Sequence, residues 1–526
     1  MATAVLPARS PARSSAYANR YIIALTVTLA SVMELLDTSI VNVAIPHMMG
    51  NLGATLDEIA WVSTGYIVAN VIILPMTGWL SAFFGRRRYF AGSIALFTLA
   101  SFGSGNAHSL EVLVFWRIVQ GLGGGALLST SQAILYEVFP PEEFGTAMAI
   151  FGMGVMVGPT LGPTLGGYLT DAFSWPWIFY INIPFGIVAF LMTLAFVADS
   201  KHQQRVPKVD YVGLLLLVVG IGALQTMLER GERLDWFDSR LIVALALASG
   251  GALVTFVWHE LRTDHPIVDL RILKSWQFTA GVAFGGSLGV ALYATVFILP
   301  VYLQGLLGFT AWQTGLVILP GALASAFTMA VIGRLGNRAN PRLLVAAGVA
   351  IFLLAMWKHG HFTTQSGQAD FFWPLIYRGV GLGLIFVPLT NLALAELPLS
   401  KIPNGTGLFN LWRQLGGSVG IALSATLVQR FMRINRADLA HYVTAFDPDA
   451  QARLHGIASK LMALGSSSAL AQQKALAIVN GQVTRQALML AYEHIFLLFG
   501  ASLAIALPLL FFMRTPIGSA QRVDAH

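Results

Sequence analysis

The chain has 526 residues, 56% of them hydrophobic and 11% charged, with a formal net charge of +7 at pH 7. A soluble domain of this size could not bury so much apolar surface, whereas a polytopic helical membrane protein has no need to. The absence of cysteine excludes disulfides, thiolate metal sites and cysteine nucleophiles, and in such a chain the excess of positive charge bears on membrane sidedness rather than on nucleic acid.

Residues 1–20 are polar, with Arg9, Arg13 and Arg20, and an apolar run follows to about Pro46. That run is too long for the core of a signal peptide, contains Glu34 and Asp37 and lacks a clear small-x-small cleavage site, so it reads as a retained first span. Further helices are predicted at about 58–83, 89–107, 110–136, 143–170, 175–197, 211–229, 239–259, 277–303, 312–333, 343–357, 371–396, 404–430 and 490–513. With the first, at 21–46, they make about fourteen, each near the ~20 residues needed to cross a bilayer. An even number puts both termini on one side. One set of loops carries the arginines and lysines of 1–20, 86–88, 201–208, 262–274, 334–342, Lys401 and 514–526; the short loops opposite carry only Arg230, Arg233, Arg240 and Lys358. The positive-inside rule then places both termini in the cytoplasm. The long segment 431–489 falls on the other side, and its apolar periodicity predicts two amphipathic helices broken near Gly465.

Internal repetition supports a two-part architecture. Arg117 lies in Phe115-Trp-Arg-Ile-Val-Gln-Gly-Leu-Gly-Gly-Gly125, which is echoed by Ile376-Tyr-Arg-Gly-Val-Gly-Leu-Gly-Leu384 around Arg378. The stretch from Gly78 to Tyr89 is echoed from Gly333 to Arg342, again eight spans on. Two six-helix halves, 21–197 and 277–513, with a linker of 198–276 carrying two inserted helices, account for that offset, and repeated halves are a mark of secondary transporters. In the fifth span Gly154, Gly158, Gly162 and Gly166 recur every four residues, with Gly167 next, and Pro159 and Pro163 repeat at the same interval. In a lipid-embedded helix such a stripe lets a second backbone approach closely, and it reads either as a tightly packed pair or as a shaped hinge between two halves.

Charges within a membrane are costly, so each is a functional candidate. Glu34 and Asp37 are three residues apart and share a face. Asp37 lies ~14 Å from the outer end of its span and Arg117 ~10 Å from the outer end of the fourth, so a buried Asp37–Arg117 pair is expected, static or as a switch in which a conformational change that separates carboxylate from arginine promotes protonation. Glu493 is a candidate partner for Arg378, and Arg413 and Asn42 are candidates for the substrate cavity. Gly85 and the run Arg86, Arg87 and Arg88 close a short loop that reads as a topological anchor and a cytoplasmic gate. Neither a phosphate loop nor a zinc motif is present, so no metal or cofactor is expected, nor energy from bound ATP. Without a nucleophile–base or metal constellation the chain reads as a transporter rather than an enzyme. A narrow-substrate exporter or importer of the same fold, and a non-transporting scaffold or receptor, remain the alternatives.

Leu36-Asp-Thr-Ser-Ile-Val-Asn-Val-Ala-Ile-Pro46, Gly78-Trp-Leu-Ser-Ala-Phe-Phe-Gly-Arg-Arg-Arg88, Trp116-Arg-Ile-Val-Gln-Gly-Leu-Gly-Gly-Gly125 and the run from Gly158 to Leu169 resemble four motifs of the major facilitator superfamily. They occur in order and in the expected spans, as in its fourteen-span drug:proton antiporters of the EmrB/QacA type. Ala82 stands where the superfamily loop usually carries an aspartate. The resemblance implies an all-α polytopic membrane protein of the major facilitator fold that exports lipophilic small molecules from a bacterial inner membrane in exchange for protons. It also implies work with a periplasmic adaptor (membrane fusion) protein and an outer-membrane channel, for which 431–489 is the expected contact.

Overall fold

A computed structural model describes residues 19–140, 143–200, 209–335, 339–444 and 446–513. Residues 1–18 of the tail predicted at 1–20, the tail predicted at 514–526, and the basic residues Lys201, Arg205, Lys208 and Arg338 lie outside them. All regular structure among the described residues is helical. The first half comprises α1 (Arg20–Leu52), α2 (Trp61–Phe84), α3 (Arg86–Gly105), α4 (Leu110–Gly124), α5 (Leu127–Val138), α6 (Phe144–Ala172) and α7 (Asn182–Phe196). Then come α8 (Tyr211–Arg230) and α9 (Arg240–Arg262). The second half comprises α10 (Trp276–Val301), α11 (Ala311–Leu335), α12 (Pro341–His359), α13 (Gln368–Leu394), α14 (Ile402–Ala440), α15 (Pro448–Ala463) and α16 (Ser468–Ile505).

Eleven of these helices, taking α4 with α5 as one, are long and apolar enough to cross a membrane, or twelve if the two arms of α6, bent by 42° at Pro159, count as one span. The expected fourteen is therefore not confirmed. The two remaining predicted spans correspond to α3, which opens with three arginines and is rich in serine and glycine, and α14, which carries Arg413, Arg430, Arg433 and Arg436. Their polarity dilutes the apolar signal.

Packing repeats between the halves as the sequence echo does. In the first half α1 packs on α6, α2 on α4 and α3 on α4; in the second α10 packs on α14, α11 on α13 and α12 on α13. The halves meet through α2 against α14 and through α6 against α11, two contacts that exchange under the same repeat. The inserted pair leans on α2 and α14 and is the least buried: 28% of the most apolar window of α8 and 22% of that of α9 are covered, against 61% for α1. Exposed Leu215, Leu247 and Val254 on these helices suit acyl chains as their surroundings.

Three boundaries differ from expectation for local reasons. The predicted fourth span is interrupted between α4 and α5 within the Gly123–Gly125 run, where the backbones of α2 and α3 approach so closely that a Cβ on Gly123 would lie 2.8 Å from the Phe97 nitrogen. The helix predicted at 404–430 runs on to Ala440, and the second amphipathic helix of 431–489 is continuous with the last span as α16. Only α15 is separate, and it ends before Gly465, whose φ of 94° suits glycine.

Candidate functional site

The densest polar cluster lies inside the first half. Asp37 on α1 and Arg117 on α4 are 0% and 1% exposed, and Arg117 Nη1 donates to Asp37 Oδ2 at 2.5 Å. The second oxygen, Oδ1, accepts from Gln120 Nε2 and Asn182 Nδ2, both at 2.9 Å. Ser101 Oγ on α3 accepts from the same two amides. Arg117 also donates through Nε to the Val62 carbonyl at 3.0 Å and lies over the Tyr66 ring, 4.2 Å from its centroid. Four helices thus converge on one polar cluster. A buried ion pair persists only when its remaining donors and acceptors are satisfied, and here Gln120, Asn182 and Ser101 meet that need. Gln120 lies three residues from Arg117 on the same helical face; Ser101 and Asn182 carry no comparable sequence signal.

Glu34 lies in a different environment. It is 5% exposed, its Oε1 accepts from Asn70 Nδ2 at 2.9 Å, and its Oε2 has no partner. It borders a space of ≈ 20 Å³ between the halves with Thr38, Tyr66, Tyr293 and Asn410. Arg413, from the second half, is 1% exposed with Nε and Nη1 unpartnered, and Glu34 and Tyr293 are its electrostatic neighbours. A second space of ≈ 60 Å³ is lined by Leu35, Pro159, Tyr293, Ser325 and Arg378 among others. Neither holds a drug-sized molecule, which takes ~300–1,000 Å³.

Two candidates lie elsewhere. Asn42 is exposed and faces Ser63. Glu493, on α16, has His494, His361 and Tyr302 as electrostatic neighbours and forms no ion pair with Arg378. The reason is the docking of α16 against α12 and α14, which puts Glu493 beside the end of α12.

The glycine stripe of α6 is the seat of α1. A Cβ on Gly158 would lie 2.9 Å from Leu35 Cβ, and one on Gly166 would lie 2.8 Å from the Ile40 carbonyl oxygen. Gly162 faces Ser39 and Ile40 in the same way. Pro163 and Gly167 are half-buried, and Pro159 is at once the bend of α6 and a wall of the central space. The stripe is therefore a tightly packed pair within the first half, on a helix that is bent at Pro159.

At the end carrying Arg86–Arg88 the halves are joined. Tyr136 donates to Asn391 Oδ1 at 2.7 Å, Thr146 to the Gly333 carbonyl at 3.1 Å, and Asn410 to Gln132 at 2.7 Å nearer the centre. The arginine run itself does not bridge them. Arg86, buried, pairs with Glu137, Arg87 reaches the Leu194 carbonyl and Asp199, and Arg88 is exposed, so the partners found lie in the first half and at the start of the linker, none in the second half. Gly85, at φ 89°, makes the turn that aims them. Gly78 forms a cross-half contact: a Cβ there would lie 2.9 Å from the Asn404 backbone nitrogen. Gly78→Ala is accordingly expected to open this end. Spin labels at Arg88 and Arg334, both exposed in a chain with no native cysteine, should report longer distances in the variant; an unchanged distribution would show that the contact does not hold the halves together.

Comparison with known proteins agrees with this architecture. Residues 27–421 match the family model of the Major Facilitator Superfamily. The multidrug export protein EmrB of Escherichia coli K12 is 35% identical over 499 residues, covering 95% of this chain and 96% of its own. The fatty acid resistance protein FarB of Neisseria gonorrhoeae is 36% identical over 502 residues, covering 94% and 96%. A human organic anion transporter, MFSD10, superposes with a TM-score of 0.58 over 92% of this chain and 99% of its own at 13% identity, a likeness of fold alone. From the family model and the near-complete alignments, the chain belongs to the major facilitator superfamily and, within it, to the EmrB-like transporters.

Proposed function

We propose that this protein is a multidrug exporter that carries lipophilic small molecules across a bacterial inner membrane in exchange for protons, its two halves rocking about the central space. The observation that carries the reading is the pair of buried acids on one face of α1: Asp37 locked to Arg117, and Glu34 with a free oxygen toward the space between the halves. An acid that loses its arginine or gains access to water changes its proton affinity, and a conformational change that does this on one side and reverses it on the other couples proton to substrate. The names of the relatives, multidrug export and fatty acid resistance, favour a lipophilic cargo. No cofactor is invoked; the proton gradient supplies the energy, and the mode is secondary active transport. Both termini lie in the cytoplasm in this reading. The α14–α16 extension, where Phe446 is 94% and Tyr442 77% exposed, is the surface for a periplasmic adaptor that leads to an outer-membrane channel.

The test is substrate-induced proton movement in proteoliposomes under an imposed pH gradient, with a panel of lipophilic dyes and weak acids. Wild type is expected to release protons on addition of at least some of the panel, and Glu34→Gln to do so with a reduced yield per substrate. Absence of proton movement with every compound would turn the reading toward a narrow substrate or another driving ion.

A further inference from the structure

A cavity of ≈ 600 Å³ lies off the central interface, between the inserted pair α8–α9 and the α10–α14 pair of the second half. Leu217 and Ile221 of α8 with Leu253 and Phe256 of α9 wall it on one side, and Leu411 and Leu415 of α14 on the other. Its floor is Ala283, Gly286 and Gly416, small residues at a crossing so close that a Cβ on Gly416 would lie 2.2 Å from the Gly286 carbonyl oxygen. Larger side chains would fill the trough that these leave. The one hydroxyl in the lining, on Ser287, donates to the Ala283 carbonyl of its own helix at 3.4 Å. A water inside would therefore lack the ~2–4 polar partners it needs.

The gap exists because α9 packs mainly on α8 and on the segments that flank it. Left unfilled, it would forfeit the dispersion contacts of its lining. Its mouth is lateral: Val257, Ala283 and Trp412 line it and are exposed, so it opens toward the bilayer. The lining runs from Leu217 to Leu228 on α8 and from Leu408 to Val419 on α14. Each stretch rises ~16 Å, about half of the ~30 Å hydrocarbon core, which is the reach of one leaflet's acyl chains. One end is closed by Val268 and Leu270, in the segment that joins α9 to α10. Asp269 there pairs with Lys401 at 3.0 Å, just before α14, which places this end on the side of the Gly78–Asn404 contact and Arg86–Arg88. Arg262, Arg271 and Lys274 are exposed on this rim, and none of the three forms an ion pair among the described residues. Arg262 lies over the Trp258 ring, and Arg271 donates to the Thr263 carbonyl at 2.9 Å. Of the nearby acids, Asp269 is taken by Lys401, Glu396 accepts from Ser275, and Glu260 is buried against Gly213 of α8. Exposed Asp264 alone remains against three cations. A basic rim at the membrane surface is attractive to anionic head groups.

We propose that this cavity binds one anionic phospholipid from the leaflet on the side of the basic loops, an acyl chain in the trough between α9 and α10 and the phosphate on Arg262, Arg271 and Lys274. The lipid supplies the packing that the second half does not give to α9, and so ties the inserted pair to α10 and α14. The site is separate from the central space, and the proposal does not depend on what the protein transports.

Native mass spectrometry of the full chain, released from detergent micelles, tests it. Dioleoylphosphatidylglycerol and dioleoylphosphatidylcholine, which share their acyl chains and differ in head-group charge, are offered in equal amounts. Wild type should retain one phosphatidylglycerol and prefer it to phosphatidylcholine at least about tenfold, the scale of a few basic residues at a membrane surface. The double variant Arg262→Gln with Lys274→Gln should bring that ratio close to one. Ala283→Trp, which fills the trough from its exposed side, should lose the retained lipid of both kinds while its unfolding temperature in lipid-free detergent stays near that of wild type. If Ala283→Trp does not fold, Ser287→Leu decides in its place. A wild type that retains no lipid or shows no preference, or retention unchanged by filling the trough, overturns the proposal. One-for-one displacement of phosphatidylglycerol by rhodamine 6G, with dye binding lost in Ala283→Trp, would make the cavity a cargo site and overturn it as well.

Discussion

Asp37→Asn is expected to abolish substrate-driven proton movement and to lower the unfolding temperature of the protein. Asparagine keeps the shape of aspartate but replaces one acceptor oxygen by an amide donor, and all three groups aimed at Asp37, from Arg117, Gln120 and Asn182, are donors. The variant therefore sets donor against donor and leaves the Arg117 charge, 1% exposed, without its partner. Removing one member of a buried pair costs about 3–5 kcal/mol, whereas replacing both by apolar groups is often near neutral. That asymmetry separates structure from mechanism. Asp37→Asn with Arg117→Met should recover much of the stability, read by thermal unfolding in detergent, without recovering proton movement, read with a pH-sensitive dye in proteoliposomes. Coupling that survives in Asp37→Asn would make the pair a structural brace and leave Glu34 as the proton carrier.

The second large effect is expected on the face where α6 meets α1. Gly166→Leu must place its side chain where the Ile40 carbonyl oxygen lies 2.8 Å from the Cβ position, and Gly158→Leu meets Leu35 Cβ at 2.9 Å. In both cases the obstacle includes or adjoins the α1 backbone, which cannot turn aside as a side-chain tip can. Overpacking of this kind costs about 1–3 kcal/mol at a single site and more where backbone blocks relaxation, so little folded protein should survive size-exclusion in either variant. Gly250→Ala serves as the contrast. It lies within exposed α9 with nothing within 4 Å of its Cβ position, and alanine there gains roughly 1 kcal/mol of helix propensity over glycine. It should fold at least as well as wild type. Equal yields from the two classes would mean that α1 and α6 separate without penalty.

Several parts of the architecture were open to a reader of the sequence alone, because they depend on properties that run along a helix. Apolar length marked the spans, and the echo of Arg117 in Arg378 marked two halves whose helix contacts indeed repeat. Counting rise per residue put Asp37 and Arg117 at compatible depths, and the structure has them in contact. Depth is one coordinate; direction around the helix is another. Asn42 is five residues beyond Asp37, about 140° further around at 3.6 residues per turn, and it faces away from the Asp37 cluster toward Ser63. Glu493 has a suitable depth as well, but the docking of α16 sets its azimuth beside His361 and Tyr302.

What the sequence by itself determined, then, is the class of protein, the two-part repeat, the small-residue stripe on α6 and the position of each charge along its helix, since periodicity and composition are local and one-dimensional. Only the tertiary structure decided which charges meet. It brought Asn182 to Asp37, and Ser101 to the amide that holds it, from two further helices, turned the free oxygen of Glu34 toward the second half, kept the partners of Arg86 and Arg87 in the first half and the start of the linker, and left Arg378 without a counter-ion beside Ser325. The physical reason is that a polar side chain within a membrane is satisfied by whatever the packing of neighbouring helices presents to it, and the rotation of each helix about its axis is fixed by contacts distant in the chain.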